Sequence, residues 1–168
     1  MTALVMFFTL VAGAVLQAVS PMWALFGQVK LPILFGVVTY YALTRERRLF
    51  LAAGLFAGIV QDALGQSPLG YSSFAFMAVG WAIHRYRELV FVHEGLTHVL
   101  IGGLGYTAVT GLLFVLLGAG GEIEPRAGWV ALRCFGALVL GMVVIPLVFR
   151  LVAGLDRLVG NLEGGAQT

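Results

Sequence analysis

Six apolar runs separated by short polar links leave this chain few ways to fold. They cover about residues 3–19, 31–44, 49–64, 71–86, 96–117 and 129–152. A helix needs about 20 predominantly apolar residues to cross the hydrocarbon of a bilayer, and backbone inside lipid must satisfy its own polar groups. Spanning β-strands would show as alternating segments of about ten residues. These runs are continuous and rich in Gly, Ala and Leu, so helices are expected. Composition agrees: 60% of the 168 residues are hydrophobic and 11% charged, against about 45–50% and about 25% in soluble domains. The expected fold class is all-α, a polytopic membrane bundle of six transmembrane helices. Residues 1–156 read as one transmembrane domain and 157–168 as a short, polar, disordered cytoplasmic tail. The first run lacks a basic leader and a clear cleavage site, so it reads as a retained helix.

Basic residues orient the bundle. Arg45, Arg47 and Arg48 follow the second run, Arg85 and Arg87 close the fourth, and Arg150 and Arg157 lie at or beyond the end of the sixth. With six spans, these seven of ten basic residues share one side, against Lys30 and Arg126 on the other. Lys and Arg favour the cytoplasmic side, so both termini are expected there. Between the first two runs, segment 22–30 reads as amphipathic or irregular, with Trp23 and Phe26 at headgroup depth.

The charge pattern rules out no function by itself, and it offers few positive signs. The formal net charge is +2 and no long basic run occurs, so there is no footprint for nucleic acid. His93 and His98 are five apart, off the i, i+4 spacing that aligns metal ligands on a helix, and with His84 they read as interface residues. Cys134 reads as a buried, inert thiol. No nucleophile and base pair, phosphate loop or thiol pair stands out. Neither an enzyme nor a cofactor is expected.

One stretch carries the rest. Residues 54–80 read GLFAGIVQDALGQSPLGYSSFAFMAVG. Gly54 and Gly58 lie four apart, as do small residues that let membrane helices approach closely, and Gly102, Gly103 and Gly105 suggest a second such crossing. Gly58→Leu is therefore expected to do more damage than Ala57→Leu. Gly65 can end a helix, and Pro68 with Gly70 can set the start of the next. The turn reads as a tight connection or as a short re-entrant ligand loop.

Asp62 reads as the only acid embedded in an apolar helix, and an acid at mid-bilayer costs about 2.5–3.5 kcal/mol on insertion scales. It can hold the 65–70 turn, pair with Arg133 in the outer half of the sixth helix, bind a partner or ligand, or carry protons. Arg133 can equally snorkel to the interface. An Asp62 and Arg133 pair would show as partial rescue of Asp62→Asn by Arg133→Gln.

The basic 45–48 turn, the 54–80 stretch and the closing Arg85 and Arg87 resemble MreD, the integral-membrane rod shape-determining family of bacteria. Gly58, Asp62, Gly65, Pro68, Leu69 and Gly70 stand at the matching positions, and the resemblance covers about residues 31–87 most closely. Beyond it, length, helix count and a proline in the last helix (Pro146) agree. The resemblance implies a multi-pass protein of the bacterial inner membrane and a non-catalytic scaffold of the elongation machinery that supports peptidoglycan synthesis and cell shape. It implies binding to MreC, a single-span periplasmic protein, and indirect association with MreB and the RodA–penicillin-binding-protein synthase, within the lipid bilayer and without nucleic acid. MreD is also similar in fold to substrate-binding subunits of energy-coupling-factor vitamin transporters. That alternative ranks second, because polar, aromatic-lined outer loops are lacking here. The residues expected to bind partners or hold the structure are Gly54, Gly58, Asp62, Gly65, Pro68, Gly70 and Arg133.

Overall fold

Apolar helices that cannot bury their surface alone pack around the shortest of them. The computed structural model describes residues 2–20, 29–65, 68–86, 94–122 and 127–158. Among these it is all-α: α1 (Thr2–Val19), α2 (Ile33–Thr44), α3 (Arg47–Gly65), α4 (Tyr71–Arg85), α5 (Glu94–Ala119) and α6 (Ala127–Leu158). Three segments are long and apolar enough to cross a membrane: Arg47–Gly65, Thr97–Ala119 and Ala127–Leu158. The segments Leu4–Val19 and Ile33–Thr44 are apolar but shorter. The expected interface residues Trp23 and Phe26, together with Arg87, His93, Arg126 and the 159–168 tail, lie outside the described residues.

At 12 residues, α2 is the centre of the bundle. Every residue of 34–43 is buried, and the helix packs against all five others. A helix that is apolar on every side has no face to offer water and belongs inside. Its Leu34, Phe35, Val38, Tyr40 and Tyr41 meet Phe50 of α3, Phe76 of α4, Tyr106 of α5 and Ile145 and Val148 of α6 in one core cluster.

Two glycine crossings bring neighbouring helices to backbone contact. On α3, a Cβ added to Gly58 would lie under 3.0 Å from both the Cα and the N of Ser73 on α4. One turn away, a Cβ at Gly54 would meet Met77 Cγ at 3.2 Å. In the second crossing, a Cβ at Gly102 on α5 would sit 2.6 Å from the carbonyl oxygen of Gly141 on α6. Small residues are what allow this approach, and dispersion with polar backbone contact then replaces a hydrophobic drive that lipid does not supply. Ala57 needs a correction. It is fully buried, so Ala57→Leu would overpack the core as well and is no control for Gly58→Leu.

The last helix is longer than its apolar run. α6 continues through Pro146 to Leu158, 32 residues in all. At 1.5 Å per residue that is about 48 Å, against about 30 Å of hydrocarbon. The final turns are held because Val148, Val152 and Asp156, each four apart, extend one buried stripe. The boundary expected near 152 misses this, because Asp156 and Arg157 look like the start of a tail.

Candidate functional site

The turn between α3 and α4 is built around a buried carboxylate. Gly70 stands at the N-cap of α4 with φ 104°, a left-handed conformation that an L side chain adopts only with strain. Glycine has no side chain to cap the helix, and the first amides of a helix have no partner within it. Asp62, two turns back along the chain on α3 and fully buried, supplies the missing acceptor. Its Oδ2 accepts from the Gly70 amide at 2.7 Å, and its Oδ1 and Oδ2 accept from the Ser72 amide at 3.1 and 3.2 Å. The negative charge also faces the positive end of the α4 dipole. Ser73, the next residue, donates its hydroxyl to the Leu55 carbonyl of α3 at 3.0 Å, beside the Gly58 crossing.

The opposite helix terminus is closed in a matching way. Lys30 Nζ donates to the Leu64 carbonyl at 3.0 Å, where α3 runs out of intrahelical donors. The Lys30 carbonyl accepts from the Tyr106 hydroxyl of α5 at 3.0 Å. Gln17 of α1 donates its side-chain amide to Gln61 Oε1, and its own Oε1 accepts from the Leu34 amide at 3.3 Å. Five helices are thus tied at this end of the bundle by polar contacts that leave the buried groups paired.

Each residue singled out from the sequence now has a place. Gly54 and Gly58 line the helix crossing, Asp62 caps α4, and Gly65 is the last residue of α3. Pro68 is half-buried, and Leu69 at the tip is 71% exposed. Gln66 and Ser67 lie outside the described residues.

The structure corrects the proposed pairing of Asp62 with Arg133. α3 packs chiefly on α1, α2 and α4, whereas Arg133 rides on α6 beside α5. Its guanidinium lies over Trp129, 4.6 Å from the ring centroid, and 5.7 Å from that of Phe114. A cation over these faces is attracted by the ring quadrupole. Among the described residues the ion pair is a different one.

That pair joins Arg45 to Asp156 at the other end of the bundle. Arg45 Nη2 and the Tyr40 hydroxyl both donate to Asp156 Oδ2, each at 2.8 Å. Asp156 is fully buried and the Arg45 side chain is 20% exposed, so Asp62 is not the only embedded acid. The signal that could have revealed it is the spacing of Val148, Val152 and Asp156, which keeps the acid on the stripe facing α2. Nearby, His84 Nδ1 meets the Ala42 carbonyl at 2.7 Å and His98 stacks on Phe149 at 4.2 Å. Cys134 is half-buried rather than buried. No group of three or more His, Cys, Asp or Glu side chains that could hold a metal occurs among the described residues.

Comparison of the chain with protein-family models, with curated proteins and with solved structures gives no match. The chemistry available at the turn follows from its geometry. Both Asp62 oxygens are taken up by backbone amides, so this acid acts as a structural anion. Asp62→Ala should destabilise the protein by about 1–3 kcal/mol, through loss of a cap and of the acceptor for two amides. Asp62→Asn keeps one acceptor oxygen and should cost about half as much. Denaturant unfolding of the purified protein in detergent measures both. Adding Arg133→Gln should be additive to within about 0.5 kcal/mol, and rescue by it would contradict the cap.

Proposed function

We propose that this chain is a non-catalytic scaffold of the bacterial elongation machinery, an MreD-type protein of the inner membrane that binds MreC and supports peptidoglycan synthesis. In this reading the bundle has six spans, the shorter helices crossing beside the three long ones, and both termini are cytoplasmic. The observation that carries the reading is that the residues bearing the resemblance act as one device. Gly58 sets the α3 and α4 crossing, Asp62 caps α4 across the turn, and Gly70 takes the backbone conformation the cap requires. Pro68 and Leu69 form the tip that this device holds out. A costly buried acid used to shape a turn suits a protein whose work is to present a fixed surface.

Affinity purification from native bacterial membranes tests the proposal. Recovery of a single-span partner with a periplasmic coiled coil, lost in Asp62→Ala at equal accumulation of the bait, is the expected outcome. A small solute that co-purifies in place of any such partner would favour the transporter-subunit alternative. Topology is tested separately, with a reporter active only in the periplasm. Fused after Thr168 it should be silent, and an active fusion would rule out both termini lying on the cytoplasmic side.

A further inference from the structure

We propose that the arginine end of the bundle binds the phosphate of an anionic phospholipid, with the acyl chains lying along the outer face of α6. The inference rests on the membrane reading of the chain and is independent of the scaffold role.

Contacts assemble this end from four helix termini. The Arg45 to Asp156 ion pair sets the end of α6 against the link between α2 and α3. The His84 contact with the Ala42 carbonyl brings in the end of α4, and Phe50 at the start of α3 stacks on the same histidine at 4.8 Å. Among the described residues, Arg47, Arg48, Arg85, Arg150 and Arg157 are exposed here, against one exposed carboxylate, Glu46. Asp156 is buried and accepts from both Arg45 and Tyr40.

The kind of cation and its surroundings point to the ligand. Every exposed cation described at this end is arginine, whose planar fork of donors matches phosphate oxygens two at a time. Arg47 and Arg48 also sit in the first turn of α3, where the helix dipole adds to the positive potential. Beside Arg150 and Arg157, exposed Val143, Leu147, Leu151 and Leu155 recur every fourth residue along α6. They make an apolar track that runs up to the guanidinium groups. Because α6 is longer than the hydrocarbon is thick, its last turns reach headgroup depth. A ligand with a phosphate at one end and hydrocarbon at the other fits both parts, whereas a free anion would use only the arginines.

Spin-labelled lipids in proteoliposomes of phosphatidylcholine provide the test. The fraction of labelled phosphatidylglycerol held immobile by the protein is compared with that of labelled phosphatidylcholine. The native chain should prefer phosphatidylglycerol. Each arginine near an anionic surface is worth about fivefold in attraction, so Arg150→Gln with Arg157→Gln should bring the preference close to unity. The preference should also collapse in about 0.5 M NaCl, where the Debye length is about 4 Å. Both side chains are exposed, so an unchanged unfolding midpoint in detergent is expected, and Arg47→Gln with Arg48→Gln is a second, independent pair. Glu46→Gln should leave the preference equal or higher. Equal immobilisation of the two lipids by the native chain would overturn the proposal, as would full preference in both double variants. Release of the labelled lipid by inorganic phosphate at matched ionic strength would assign the site to a soluble anion and overturn the lipid.

Discussion

Replacing Gly58 by leucine should sharply lower the amount of folded protein that accumulates. The Cβ alone falls under 3.0 Å from the Cα and N of Ser73, atoms of a helix backbone that cannot rotate aside as a side-chain tip can. Overpacking commonly costs about 1–3 kcal/mol, and a clash with backbone places this change at or above about 3 kcal/mol. Stabilities of folded proteins are only about 5–15 kcal/mol, so accumulation should drop sharply. Even Gly58→Ala should be destabilising. Gly111→Ala on α5 is the control, since a Cβ there meets nothing within 4 Å and alanine is favoured over glycine in a helix by about 0.5–1 kcal/mol. Accumulation in membranes and the denaturant midpoint in detergent read the difference. If the two alanine variants behave alike, α3 and α4 are not in backbone contact at Ser73.

The second large effect is expected at the opposite end, and it should be asymmetric. Arg45→Gln removes the Arg45 guanidinium from the fully buried Asp156 carboxylate and leaves the Tyr40 hydroxyl donating to it. Breaking a buried pair from one side costs about 3–5 kcal/mol. The 20% exposure of the Arg45 side chain lets water soften the site, so about 2–3 kcal/mol is expected. Asp156→Asn should be milder, because the guanidinium it leaves behind can turn toward water. The double variant Arg45→Gln with Asp156→Asn should recover part of the loss, with a coupling of about 1 kcal/mol or more in a double-mutant cycle. Simple additivity would mean that α6 is held at this end by its apolar stripe alone. An Asp156→Asn variant worse than Arg45→Gln would place the critical interaction on another partner of Asp156.

Helix positions were legible because a long apolar run, wherever it is shut off from water, must satisfy a rule segment by segment. Every run must close its own backbone hydrogen bonds, so apolar length alone locates a helix. The helices expected at 49–64 and 71–86 lie within two residues of the observed α3 and α4. The turn between them was legible for the same local reason. Gly70 acts through its own left-handed backbone torsion, and Asp62 reaches its two amides across ten residues or fewer. Glycine spacing marked the faces of close approach, because only the absence of a side chain permits it.

Partner choice between distant segments was not legible in this way. Depth in the membrane suggested Arg133 for Asp62, but two residues at one depth on different helices meet only if those helices are neighbours. Arg133 instead finds Trp129 one turn away on its own helix and Phe114 on α5. Asp156 looked like the start of a soluble tail until α2, 116 residues back at Tyr40, was seen to receive it. Hydropathy cannot distinguish the face a helix gives to lipid from the face it gives to another helix, since both are apolar. Thus the chain's own sequence determined that it forms apolar helices, about where they begin and end, and how the tight turn is made. Only the tertiary structure decided that the shortest helix is the centre, which buried acid meets the arginine, and which glycines touch backbone. Those outcomes depend on the order of helices around the bundle, which is settled by side-chain fit across segments far apart in the chain.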